Sequence, residues 1–395
     1  MHSCIVRREA DWLRGAKHWR PNTQLDDFRV VIRPAVEWPS KSCSTRQSLK
    51  RISNLPSVLF ELRMKLYRLQ QFSGPAGLQM LENPIPEPGP REVLVRVRAS
   101  SVNARDLMVA SGVFGPAVPA GTIPLSDGAG EIVAVGSGVR RVAVGDRVCG
   151  TFVDGWISGE RLDMGFGRGG DGNGMLTEYA VLTEDSVVRL PEHLSFEEGA
   201  TLPCAAVTAW NALCVYGSLL PGQTVLVLGS GGVAVFALQF AKLFGARIIA
   251  TTSSASKAQR LKSLGADAVI NYTTHENWDQ EVQRLGGADV VVETGGGGTM
   301  PKSILAAKRG GRISVVGLVT GVPDSGFAPA FFGRFVQFHH VHVGSRDSFE
   351  AMNQAITYHR LKPIVSREFL FGQAQEAYAS LKTADHFGKV VIQHG

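Results

Sequence analysis

The sequence holds few cysteines, and none of them are close together. Cys4, Cys43, Cys149, Cys204 and Cys214 are scattered and odd in number, without a CxxC motif. This excludes a disulfide framework and fits the reduced thiols of a cytoplasmic protein. No apolar run reaches the ~20 residues that a bilayer-crossing helix needs, so no membrane association is expected. An excess of one charge is also missing from most of the chain. Of the 41 Lys and Arg, 12 lie in residues 1–63, as do 6 of the 35 Asp and Glu, and the remainder carries 29 of each sign. The formal net charge of +6 therefore belongs to the first 63 residues, and no nucleic-acid partner is expected.

What is present is a globular composition, 44% hydrophobic with 45 Gly in 395 residues, long enough for two domains. Residues 1–63 stand apart. They lack a sustained apolar period and are broken by Pro21, Pro34, Pro39 and Pro56. Their arginines suit a mitochondrial presequence, but Glu9, Asp11, Asp26 and Asp27 argue against one. They are expected to form a basic, disordered leader, with Met64 as an alternative start. From Met64 to about Arg189 short strands alternate with turns, as in the half-buried pattern of Glu92 to Ala99. Residues 155–174 are Gly-rich and read as a loop. After Pro191 the rhythm changes. Strands are expected at 225–228, 247–251, 268–272, 289–293 and 311–316, with helices at 232–244, 256–263, 277–284 and 299–307. Strands separated by single helices imply an α/β fold with a doubly wound parallel sheet.

The most specific local signal is Val225-Leu226-Val227-Leu228 running into Gly229-Ser230-Gly231-Gly232-Val233-Ala234. Gly229, Gly231 and Ala234 match GxGxx(G/A) between a strand and a helix. Such glycines allow a tight turn and let backbone N–H groups approach a pyrophosphate at the helix N-terminus. Gly229, Ser230, Gly231, Gly232 and Val233 are thus expected to seat a dinucleotide. The next strand ends in Thr252-Ser253-Ser254, where an NAD-preferring site places Asp or Glu for the ribose 2′-OH. Ser253, Ser254 and Lys257 suit a 2′-phosphate instead, and NADP(H) is the expected cofactor. Lys257 is otherwise an ordinary solvated helix residue. Tyr272 either flanks the same phosphate or the adenine, or belongs to the core.

Taken together, Ser101-Val102-Asn103-Ala104-Arg105-Asp106, Asp127-Gly128-Ala129-Gly130-Glu131-Ile132-Val133-Ala134-Val135-Gly136, Val144-Gly145-Asp146-Arg147-Val148, Thr201 to Trp210, the glycine turn and Phe387-Gly388-Lys389-Val390-Val391 resemble the medium-chain dehydrogenase/reductase superfamily. The resemblance covers everything but the leader. It implies a GroES-like β-rich catalytic domain over 64–190, a Rossmann NADP-binding domain over 191–345, and a return to the catalytic domain over 346–395. It also implies a homodimer joined at the last Rossmann strands, about 311–316 and 341–345. By the same resemblance Thr208, Val316, Gly317, Leu318, Phe387, Gly388 and Lys389 face the cofactor, each with pure packing as its alternative.

The departures from the family pattern are informative. Zinc-dependent members place Cys where Asn103 stands and His-Glu where Ser126-Asp127 stand; only Cys204 keeps their catalytic-zinc pattern, and residues 155–174 lack the four-cysteine lobe. No metal is therefore expected, and the chain is similar to the quinone and enone reductases. Without zinc, charge developing on a substrate oxygen needs hydrogen-bond donors or delocalisation, which favours conjugated acceptors. Asn103 is the candidate catalytic residue, orienting nicotinamide or substrate, with turn capping as its alternative. Met108 replaces that branch's tyrosine and leaves the substrate open. Asp127 is either an acid or a fold-supporting carboxylate. His339, His340 and His342 cluster without a neighbouring acid or cysteine pattern, and a metal site there is not expected. The expected function is NADPH-dependent hydride transfer to an activated C=C (enone or enoyl) or a quinone, a small-molecule substrate. The alternatives are alcohol dehydrogenase or carbonyl reductase activity, or a low-turnover NADPH-binding structural or sensor protein.

Overall fold

Val93, Val95, Val97 and Ala99 are buried between the less buried Glu92, Arg96 and Arg98, and Glu92 to Val102 becomes the longest strand among the described residues and the centre of a mainly antiparallel sheet. The structure, a computed structural model, describes residues 62–161, 165–321, 328–383 and 385–395. The expected leader lies outside these residues except for Leu62 and Arg63. Strand β1 (Arg63–Leu69) pairs with β2 (Leu78–Pro84) as a hairpin. Strands β3 (Glu92–Val102), β4 (Asp127–Val135), β5 (Arg147–Gly150), β6 (Tyr179–Thr183) and β7 (Val187–Arg189) follow, with helix α1 (Ala104–Ala110) between β3 and β4. Helices α2 (Phe196–Ala200) and α3 (Val207–Trp210) lead out of this β-rich part.

The parallel strands are β8 (Thr224–Leu228), β9 (Arg247–Thr252), β10 (Ala268–Asn271), β11 (Ala288–Glu293), β12 (Ala307–Val315) and β13 (Gln337–His340). Their connections are α4 (Gly232–Leu243), α5 (Ala255–Leu264), α6 (Trp278–Arg284), α7 (Met300–Ala306) and α8 (Ala328–Arg334). The sheet order is β10-β9-β8-β11-β12-β13, all pairs parallel. Strand order therefore reverses between β8 and β11, and the crevice beyond their C-terminal ends is where such sheets bind ligands. Helix α9 (Arg346–His359) then leads to β14 (Val365–Leu370), α10 (Ala374–Lys382) and β15 (Lys389–Gln393). β15 pairs antiparallel with β3, which returns the chain's end to the first sheet in the order β14-β15-β3-β4-β5-β7.

Helix α4 is apolar nearly all round because it is covered on both sides. It packs on β8, and Trp210 of α3 meets Phe240 edge-on at 5.5 Å. One buried cluster runs from Ala99 and Cys149 through Ala205 to Val225 and Phe240, so the two sheets share a core.

Two readings need correction. No strand covers 341–345; the last parallel strand is Gln337–His340, paired with Arg312 to Val315. The alternation of His340 to Val343 continues past the strand's end, but Val343 has φ 52°, which keeps 341–345 from forming one extended strand. Tyr272 lies just past β10, 44% exposed, so it is not core. The Gly-rich loop is tied down in its described parts: Arg105 donates to the carbonyls of Phe166 and Arg168 (both 2.9 Å), and buried Arg168 pairs with Asp154. Among the described residues no helix is long and apolar enough to cross a membrane.

Candidate active site

Strand β8 ends at Leu228, and the chain turns on Gly229, whose φ of 81° favours glycine. The Gly229 N–H donates to Thr251 O (3.0 Å), which anchors the turn to β9. Gly231 caps α4 in extended conformation and bridges to Gly388. The Gly388 N–H donates to Ser230 O (3.0 Å). The C-terminal segment 386–389 thus lies along the glycine turn. A Cβ at Gly232 would lie 2.7 Å from Lys389 Cδ, which is close packing within the protein. A Cβ at Gly231 would meet only His386 Nε2, at 3.8 Å, within 4 Å. The open side of Gly231, at the N-terminus of α4, is a cradle of the kind a dinucleotide pyrophosphate occupies.

Beside it, Ser254 caps α5, accepting from the Lys257 N–H (3.4 Å) and pairing with Ser256 Oγ (2.8 Å). Ser253 is exposed and Lys257 half-buried. Burial lowers the Lys257 pKa, Asp385 opposes this and Arg260 adds to it. On the other side of the crevice Val316 and Gly317 follow β12 and donate to Glu293 O (2.8 and 3.3 Å). Leu318 stays 44% exposed, and Thr208 is buried on α3.

Asn103 occupies the turn between β3 and α1. Its backbone N–H donates to Asp106 Oδ2 (2.8 Å), but its side chain does not cap the helix. Instead Asn103 Oδ1 accepts from Lys389 Nζ (2.5 Å), which also donates to Val102 O (2.9 Å) and lies 3.9 Å from Asp127 Oδ2. Ser126 Oγ donates to Asp127 Oδ1 (2.7 Å). Asn103 Nδ2 and Asp127 Oδ2 are buried without a hydrogen bond of ordinary geometry. Lys389 is only 3% exposed. The sequence placed it on the cofactor side; its stem does pass Gly232, but its ammonium goes to Asn103.

Burial raises the Asp127 carboxyl from 3.8 to about 6, against the pull of Lys389 and of the Asn103 and Ser126 side chains. The folded protein therefore holds this proton more tightly than the unfolded chain. Its contribution favours the fold at low pH and is lost as pH rises from about 4 to about 6. Relative to Asp127→Asn, the wild type should lose up to about 3 kcal/mol across that window in urea unfolding. Parallel stability curves for the two proteins would contradict the assignment. The Cys204 thiol is pushed up by burial and by Asp127, so it stays protonated.

Several groups at the site escaped sequence reasoning. Glu293, at the end of β11, accepts from the Gly295 and Gly296 N–H groups (2.7 and 3.0 Å) and Thr299 Oγ1 (2.6 Å), shaping the turn beside the strand-order reversal. The run Gly295 to Gly298 directly after a strand was the available signal. Arg260 lies 3.9 Å above the Phe387 ring, and His386 faces Gly231. The three histidines separate: His339 packs on Tyr216, while His340 and His342 approach at 6.3 Å. Among the described residues no group of His, Cys, Asp or Glu could hold a metal ion.

Two family models match the chain, the alcohol dehydrogenase GroES-like domain at residues 89–192 and the zinc-binding dehydrogenase at 232–357. A zinc-type alcohol dehydrogenase-like protein of Schizosaccharomyces pombe, C1773.06c, is 37% identical over 337 residues, 82% of this chain and 97% of that protein. The chain belongs to the medium-chain dehydrogenase/reductase superfamily. Other members are comparably near. The chloroplastic NADPH-dependent alkenal/one oxidoreductase of Arabidopsis thaliana is 30% identical over 98% of this chain and 96% of its own length. A thermostable alcohol dehydrogenase from Pyrobaculum aerophilum superposes with a TM-score of 0.73 at 30% identity, over 84% of this chain and all of that one. As a member of this superfamily the protein is an oxidoreductase using a nicotinamide cofactor, with a GroES-like β-rich part and a Rossmann sheet.

Proposed function

We propose that this reductase transfers hydride from NADPH to an activated C=C or a quinone without zinc. The observation that carries this reading is the buried Lys389 ammonium on Asn103 Oδ1, 3.9 Å from Asp127. A catalytic zinc needs three good protein ligands. Here the corresponding groups are an amide, a hydroxyl, a carboxylate beside an ammonium, and a thiol that burial keeps protonated. A divalent cation in that space would meet a positive charge.

The bound nicotinamide supplies hydride from its C4. The protein's part is positioning and charge. Lys389 takes Asn103 Oδ1, which leaves the Nδ2 donor on the Asp127 side of the site, where a substrate oxygen would compete for it. That donor, and the field of Lys389 behind it, stabilise charge developing on the oxygen of an enone or quinone. Delocalisation into an enolate or hydroquinone anion does the rest, and water supplies the final proton. A simple ketone lacks this delocalisation. Preference for NADPH is supported by Ser253, Ser254 and Lys257 at the start of α5, with no Asp or Glu to repel a 2′-phosphate. The same reading includes a homodimer joined at the edge strand β13, supported by exposed Phe332 and Phe335 beside it.

Steady-state rates with NADPH and NADH against enones, quinones, aldehydes and ketones test the proposal. NADPH should be preferred by at least about tenfold in kcat/KM, with enones or quinones reduced and simple ketones not. Preference for NADH overturns the cofactor assignment. Ketone reduction with stoichiometric zinc in the purified protein overturns the mechanism.

A further inference from the structure

We infer that His386 is a ligand of the cofactor's phosphates and takes up a proton as they bind. This rests on the dinucleotide seat at the glycine turn described above. The bridge between Gly231 and Gly388 sets the C-terminal segment alongside that turn. The result is that the imidazole borders the one open side of Gly231, with Nε2 at 3.8 Å from where a Cβ would sit. The other ring nitrogen, Nδ1, is buried and makes no hydrogen bond. The ring is thus placed at the cradle without a protein partner to account for that nitrogen.

The charges around it come from every element that meets there. Helix α5 brings Lys257, and its Arg260 stacks 3.9 Å above the adjoining Phe387 ring. Strand β14 brings Arg367 and strand β15 brings Lys389. The only carboxylate facing His386 among these groups is Asp385, which is also 3.8 Å from Arg367. Cations thus outnumber carboxylates around a half-buried imidazole. A dinucleotide's pyrophosphate, entering at Gly231, brings two negative charges into that field.

In the free protein the imidazole is neutral at pH 7: burial, with Lys257, Lys389 and Arg367, pushes it down to about 4, against Asp385. Anionic phosphates beside it favour the charged form, so its pKa rises on binding. Linkage fixes the sign: binding absorbs a proton between the free and bound pKa values, and affinity strengthens as pH falls through that window. A protonated ring can then donate from both nitrogens, one of them toward the phosphate.

The test is calorimetric titration of the full chain with NADP⁺ and with NAD⁺, in two buffers of different ionisation heat, from pH 5.5 to 7.5. Wild type and His386→Gln are compared, because the NADP⁺ 2′-phosphate itself titrates near this range and the difference removes it. Near pH 5.5 to 6, wild type should absorb at least about half a proton more than His386→Gln does, and its Kd should tighten at least about threefold more on acidification. His386→Arg, a fixed cation, should keep affinity at pH 7.5 without the extra uptake. Binding with equal proton uptake in wild type and His386→Gln overturns the role of His386 and leaves the cofactor assignment standing. Extra uptake with both dinucleotides but tighter binding of NAD⁺ supports His386 and overturns the NADPH preference.

Discussion

Lys389→Met should cost the fold about 3–5 kcal/mol at pH 8, the scale seen when one partner of a buried charged pair is removed. The ammonium is 3% exposed and satisfies two acceptors, Val102 O and Asn103 Oδ1, while partly balancing Asp127. Methionine fills the space but leaves both acceptors bare and Asp127 alone. Each unsatisfied buried acceptor costs about 1–3 kcal/mol, and the carboxylate adds to that unless it takes a proton. Burial already holds Asp127 at about 6, and losing the cation raises it further. The substituted protein should therefore be less impaired at pH 5 than at pH 8, and Asp127→Asn in the same chain should recover part of the loss. Urea denaturation of the single and double substitutions at both pH values decides it. A loss below about 1 kcal/mol at pH 8 would show that the ammonium is not the counter-charge of this site.

Gly231→Val gives the opposite pattern, an intact fold and a lost cofactor. Gly231 has φ −75° and ψ −174°, ordinary for any residue, and its Cβ direction points into space bordered only by His386. Folding therefore changes little, with the melting temperature within a few degrees of wild type. A branched side chain there fills the cradle and holds a pyrophosphate off the N-terminus of α4, so dinucleotide affinity should fall by about a hundredfold or more. Gly388→Val is the contrast. Its φ is 86°, and a Cβ would come within 2.3 Å of Ile364 O, so that protein should fail in stability before it fails in binding. Fluorescence titration with NADP⁺ and a thermal melt separate the two. A Gly231→Val protein that binds within about threefold of wild type would remove the glycine turn from the cofactor's seat.

The glycine turn and the parallel strands were legible because their signals are local. Thr224–Leu228 and Ala288–Glu293 are short apolar runs closed by glycine or a turn, and each observed boundary lies within a residue or two of its expected place. The last parallel strand was misplaced because His340 to Val343 alternates polar and apolar residues, and neither the end of β13 at His340 nor the positive φ of Val343 leaves a compositional mark. The site's electrostatics were less readable. Lys389 could be placed near the cofactor, but the direction of its ammonium depends on Asn103, 286 positions away. Arg260 reads as a solvated helix residue until Phe387 is known to lie beneath it. His386 carries no motif; its meaning comes from the bridge between Gly231 and Gly388.

The pairing of β15 with β3 also orders events during synthesis. Lys389 bonds to Val102 O across 287 positions, so Asn103 and Asp127 leave the ribosome long before their cation exists. A growing chain can form the β3–β4 ladder and most of the parallel sheet, yet it holds the Asp127 carboxylate without the Lys389 ammonium. Until β15 emerges and pairs with β3, Asp127 stays hydrated or protonated, and its counter-charge arrives only with that pairing.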